Sequence, residues 1–158
     1  MSLRKQLCIG VGIVAVSVGI AVLAVFSTSD RQYQKTTVRL GDGVFTALIA
    51  QSNAQQAKGL GGITRLSDTD AMLFVYEAPR QNKIWMKNMN IPIDVIWLDR
   101  EKRVVHIERS LQPSSYPKTY GPTTQTQYVL EVAAGTVDTK QIGVGTQAGF
   151  TLHNQGGK

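Results

Sequence analysis

Lys83-Ile-Trp-Met-Lys-Asn-Met-Asn-Ile-Pro-Ile-Asp94 runs from a strand-like alternation through a proline bend to a carboxylate. Side chains in an extended chain alternate between faces, so Ile84 and Met86 share one face while Trp85 and Lys87 share the other. Pro92 has no N–H to donate, so strand pairing has to break there into a bend or an edge. Past the proline, residues 93–99 resume the alternation and place Asp94 beside Ile96 and Leu98, opposite Ile93, Val95 and Trp97. A carboxylate on an apolar face needs partners, because an unpaired buried charge is costly. The nearest are the Lys87 ammonium, the Asn88 amide and backbone N–H groups in the bend that ends at Pro92. Two readings follow. In the functional one, Lys87 holds an anionic group, Trp85 stacks on a ring or sugar, and Asp94 orients them. In the structural one, Asp94 pins the bend and Trp85 packs, and this reading is favoured because structural ion networks perturb charged groups as readily as active sites do.

Working outward, residues 37–40 and 44–50 alternate apolar and polar side chains around Gly41-Asp42-Gly43, a hairpin signal. Ser52-Asn-Ala-Gln55 has the form of a capping box, and the helix it starts should end at Lys58, before Gly59, Gly61 and Gly62. Strands are expected at residues 71–76, 83–88, 93–99, 103–109 and 128–132. Helical turns are expected at 136–142 and a closing strand at 148–152. The pattern predicts an α+β fold: a mainly antiparallel, curled or barrel-like sheet with one or two short helices, preceded by one transmembrane helix.

Four elements occur in order: Gly59-Leu60-Gly61-Gly62 after a short helix, Ala71-Met-Leu-Phe74, Trp85-Met-Lys-Asn88 with Ile91-Pro-Ile-Asp94, and Val129-Leu-Glu-Val-Ala-Ala-Gly135. Together they resemble the uncharacterised family called domain of unknown function 192, across nearly all of residues 36–152. Gly61, Ala71 and Met89 depart from residues common in that family, which bears on local turn geometry. The resemblance implies a compact α+β domain, frequently behind a signal or anchor segment, and no accepted activity.

The N-terminal part bears on location. Residues 7–26 carry no charge, and twenty helical residues span about 30 Å, the thickness of the hydrocarbon layer. The run is longer than the core of a cleavable signal, so it reads as an uncleaved anchor. Arg4 and Lys5 ahead of it favour a cytoplasmic N-terminus. The expected organisation is a cytoplasmic head (1–6), a transmembrane anchor (7–26), a polar tether (27–36) and a single extracytoplasmic domain (37–158). This places a single-pass protein in the cytoplasmic membrane, touching lipid through residues 7–26 and meeting an envelope ligand or protein with its domain. Net charge is +6, and with Arg4 and Lys5 set aside the chain has 15 basic and 11 acidic residues. The basic residues are scattered, so nucleic acid is not an expected partner.

Cys8, the sole cysteine, lies in the apolar run and leaves the domain no thiol chemistry. His106 and His153 are far apart in the chain and make a poor metal set, so no metal or cofactor is expected. No nucleophile elbow, zinc-protease helix or phosphate loop is present, and no catalytic residue is assigned. A second candidate region is the polar stretch 112–127, stiffened by Pro113, Pro117 and Pro122, where Tyr116 and Tyr120 could grip a glycan or peptide. The candidate binding residues are therefore Trp85, Lys87, Asn88, Asp94, Tyr116 and Tyr120. The favoured function is a ligand- or partner-binding module without catalysis. The alternatives are an envelope hydrolase or transferase using Asp94 and Lys87, and a docking scaffold for another membrane protein.

Overall fold

The computed structural model describes residues 33–152, so the expected anchor at 7–26 lies outside the described residues. Among those described, no helix is long and apolar enough to cross a membrane. A six-stranded mixed sheet forms the body, with strand order β1-β2-β3-β8-β5-β6. In chain order the strands are β1 (Gln34–Leu40), β2 (Gly43–Ala50), β3 (Asp70–Arg80), β4 (Ile84–Trp85), β5 (Ile93–Leu98), β6 (Val104–Leu111), β7 (Thr119–Tyr120) and β8 (Thr126–Ala133). The two helices are α1 (Asn53–Lys58) and α2 (Thr136–Thr139). The sheet is open, with β1 and β6 at its edges, which corrects the expectation of a barrel-like closure.

One pair breaks the antiparallel rule: β2 and β3 run parallel. Parallel neighbours cannot be joined by a tight turn and need a crossover. That crossover carries α1, whose capping box forms as expected. Ser52 Oγ accepts from the Gln55 N–H, and Gln55 Oε1 accepts from the Ser52 N–H. The expected strand at 83–88 is reduced to Ile84–Trp85, because Met86 to Met89 close a turn and Asn88 takes a positive φ of 58°. The closing strand at 148–152 is reduced to a bridge between Arg39 and Gly149.

Both faces of the sheet are covered. One core gathers Val38, Phe45, Ile96, Leu98 and Leu130 with Val137 of α2. The opposite core gathers Leu60, Met72, Phe74, Ile93, Trp97 and Val129. Strand β5 is central and buried at every residue, so its two-faced apolar alternation feeds both cores. The second core also anchors the small ribbon β4–β7. Trp97 Nε1 donates to the Asn82 carbonyl at 2.9 Å, and Asn82 Nδ2 donates to the Thr126 carbonyl at 2.7 Å. Gly121 sits where a Cβ would lie 2.6 Å from the Asn82 carbonyl oxygen and 3.2 Å from the Trp97 ring, so only glycine lets this loop approach so closely.

Candidate functional site

Strand β8 lies between β3 and β5, and its register sets Glu131 opposite Met72 on one side and Val95 on the other. Alternation along β8 sends Leu130 and Val132 into the first core and Val129 into the second. Glu131 therefore faces the second core from the middle of the sheet. Its side chain is 3% exposed, and Oε2 has no hydrogen-bond partner. Burial pushes its carboxyl up to about 8, opposed only in part by the Leu60 backbone N–H. The carboxyl is thus held mainly in its acid form at neutral pH.

Above it opens a cleft of about 160 Å³ with Glu131 in its lining. Phe74, Tyr76, Ile84 and Met89 supply apolar and aromatic wall, while Lys58, Arg80, Lys83 and Lys87 surround the mouth with Trp85. The irregularity in β3 between Val75 and Arg80 takes Tyr76 out of the ladder with β8 and turns this end of the strand toward the cleft. Burial raises the Tyr76 phenol to about 12, with the Arg80 charge opposing and the Glu131 charge reinforcing. Arg80 lies over the Tyr76 ring at 4.6 Å and donates from Nε to Asn82 Oδ1 at 2.8 Å. Lys83 Nζ donates to the carbonyls of Gly121 and Pro122 at 2.6 and 2.8 Å. None of the four cations is ion-paired among the described residues.

Gly59 keeps the approach to Glu131 open. It follows α1 with φ 51° and ψ −138°, a conformation that residues bearing a Cβ avoid. A Cβ there would stand 3.3 Å from the Phe74 ring and 3.5 Å from Glu131 Oε2. We expect Gly59→Ala to cost about 2 kcal/mol in urea unfolding, because the strained backbone is retained while the cleft loses space. An unchanged midpoint would show that the turn relaxes freely.

The residues expected from sequence separate into two groups. Trp85 and Lys87 line the cleft, with Lys87 Nζ 5.4 Å from the Trp85 ring centroid. Tyr116, from a distant segment, meets Trp85 edge-on at 6.3 Å without itself lining the cleft, and the two rings are 45% and 44% exposed. Their meeting follows from the β4–β7 pairing, which sets Trp85 against Thr119 and Ile84 against Tyr120. Tyr120 itself lies under Lys118, 4.7 Å from ring centroid to Nζ, and is not part of the cleft lining. Asn88 contributes its carbonyl to the Gly62 N–H rather than a side chain to the cleft.

Asp94 is elsewhere and fully buried. Its Oδ1 accepts from the Ser110 N–H at 2.8 Å, and its Oδ2 accepts from the Val137 N–H at 2.9 Å. The expected partners, Lys87, Asn88 and the 90–92 backbone, are therefore not the ones it uses. Ser110 lies at a positive φ of 50° where the β5–β6 register slips, and Val137 is in the first turn of α2, whose N-cap Gly135 has no capping side chain. Asp94 thus caps α2 from across the fold and fixes the β6 bulge.

Glu131 was not among the candidate residues, although it stands in the quoted Val129 to Gly135 motif. A lone carboxylate inside an apolar run read as a buried strand is the signal that would have found it. Among solved structures, a putative transcription regulator from Sinorhizobium meliloti 1021 superposes with a TM-score of 0.72 at 26% identity, covering 75% of this chain and 95% of its own. A protein of unknown function from Novosphingobium aromaticivorans DSM 12444 gives 0.68 at 30% identity, covering 75% of this chain and 85% of its own. No curated protein matches the sequence. The family model DUF192, described as an uncharacterized ACR, matches residues 36–150. The cleft and all of the sheet but the first two residues of β1 lie within that match, and the chain belongs to the DUF192 family.

Proposed function

We propose that this chain is a membrane-tethered, extracytoplasmic module that binds a small ligand in the Glu131 cleft without transforming it. The observation that carries the reading is the buried Glu131 carboxyl with an unpartnered oxygen in the lining of an open cleft. Such a group costs stability unless something hydrogen-bonds it, and a ligand is what the cleft admits. Binding is favoured over catalysis because the lining holds one carboxyl and no histidine, serine or cysteine, and its lysines stand exposed at the mouth out of ion-pair reach of Glu131. The hydrolase reading through Asp94 and Lys87 is weakened, since both Asp94 oxygens are engaged by backbone amides remote from the cleft lining. The regulator description of the Sinorhizobium meliloti protein is not carried over, because the basic residues gathered here frame a cleft of about 160 Å³ rather than an extended stripe for nucleic acid.

The uncharged run 7–26 supports the tether, and the basic head before it supports an exported domain. A thermal-shift screen of the full chain against wall fragments, sugars, nucleotides and metals tests the binding reading. A specific ligand raises the midpoint by mass action, and that rise should disappear in Glu131→Leu. A rise that persists in Glu131→Leu places binding elsewhere. Protease added to spheroplasts should digest the domain, and full protection would overturn the extracytoplasmic placement.

A further inference from the structure

Two features of the cleft, separated in space, ask for two different groups on one ligand. At the floor, Glu131 is buried and partly unsatisfied, and it makes no ion pair with any described cation. Around the mouth stand Lys58, Arg80, Lys83 and Lys87, all solvent-exposed and none paired with a carboxylate among the described residues. The floor takes a hydrogen-bonding group, and the mouth takes an anion. Between them lies wall from Phe74, Tyr76 and Ile84, the kind of surface that holds a ring. The available space, about 160 Å³, compares with cavities of about 150 Å³ that accept benzene.

Resting on the binding reading above, we propose that the cleft takes a six-membered-ring carboxylic acid, with its carboxylate among the mouth cations near Lys87 and a ring hydroxyl against Glu131. A hydroxyl suits that floor in either protonation state, since it both donates and accepts. A carboxylate is preferred to a phosphate at the mouth on size, because a ring of benzene's bulk already takes most of about 160 Å³ and a planar carboxylate adds less to it than a tetrahedral phosphate. Trp85 offers the ring a further face at the entrance, and Lys87 stands beside it. Two sources share this chemistry: an aromatic hydroxy acid and a sugar acid.

Isothermal titration of the full chain with 4-hydroxybenzoate, glucuronate, benzoate, 4-hydroxybenzylamine, 4-(hydroxymethyl)phenol and inorganic phosphate tests the proposal. Saturable millimolar binding is expected for 4-hydroxybenzoate or glucuronate, and whichever binds identifies the source. Benzoate should bind roughly tenfold more weakly than 4-hydroxybenzoate if the aromatic acid is the ligand, for want of one hydrogen bond. Lys87→Met should weaken the acids about fivefold and leave 4-(hydroxymethyl)phenol unchanged, one partly exposed charge contact being worth about 1 kcal/mol. Glu131→Leu should weaken the hydroxy acid and spare benzoate. Equal or tighter binding of the amine, the neutral alcohol or phosphate would overturn the acid assignment while leaving the cleft a binding site. Binding by none of the six would overturn the assignment too, and the broader thermal-shift screen would then decide whether the cleft binds anything.

Discussion

Asp94→Asn is expected to lower stability by about 3 kcal/mol and the thermal midpoint by roughly 10 °C, without touching the cleft. Asp94 is fully buried, and each of its oxygens accepts one backbone N–H, from Ser110 at 2.8 Å and from Val137 at 2.9 Å. Asparagine keeps one acceptor and turns an NH2 group toward the other donor. One charge-assisted bond is lost, and a buried N–H is left facing another donor. The loss reaches two elements at once, the β6 bulge at Ser110 and the start of α2, so it should accelerate amide exchange at Val137 as well as lower the midpoint. The variant still folded at 20 °C should keep the wild-type affinity for any cleft ligand, because Asp94 is absent from the lining. Stability unchanged within error would show that the two bonds are replaceable. Affinity lost from a folded variant would return Asp94 to the functional site.

The contrast between Asp94 and Glu131 shows where sequence reading works in this chain. Local patterns carry local elements: Ser52 and Gln55 announce α1, and the alternation from Ile93 to Leu98 announces a strand between two cores. The carboxylate at 94 was conspicuous because it ended a bend, and its need for partners was legible. Which partners it found was not, since Ser110 and Val137 lie 16 and 43 residues away and reach it only through the β5–β6 register and the β5–β8 pairing that delivers α2. The same holds for Tyr116, brought to Trp85 by a two-residue ribbon too short to read from alternation. The open sheet was missed for a related reason. Hairpin signals suggested continuous antiparallel pairing and closure, whereas the parallel β2–β3 step through α1 leaves β1 as an edge. Glu131 gives a weak signal in sequence, one polar residue in an apolar strand motif, and takes its meaning from the cleft above it.

Glu131→Gln is expected to stabilise the protein, and the gain should depend on pH in a way that identifies the carboxyl as its source. The folded-state pKa is raised to about 8 from the 4.5 of a free glutamate carboxyl. A raised pKa means that the folded chain holds a proton which the unfolded chain has already released, so wild-type stability falls as pH rises between those values. The Glu131 contribution is fully present below about 4.5, declines toward 8 and shows no further loss above it. Glutamine neither ionises nor carries that penalty. The difference between variant and wild type should therefore be small at pH 4, grow through neutrality and level off near pH 9, at on the order of 4 kcal/mol. Urea unfolding of both proteins across that range checks it, since groups common to the two cancel in the difference. A gap that stays flat with pH would mean that solvent reaches the carboxyl. A gap of the expected shape would mean that the chain retains, in the middle of its central sheet, a group that weakens the fold at physiological pH. Stability lost in this way is common where a site is kept ready for a ligand. Adding the cleft's ligand should then narrow the gap between the two proteins, because hydrogen bonding to Glu131 relieves in the wild type what glutamine removes in the variant.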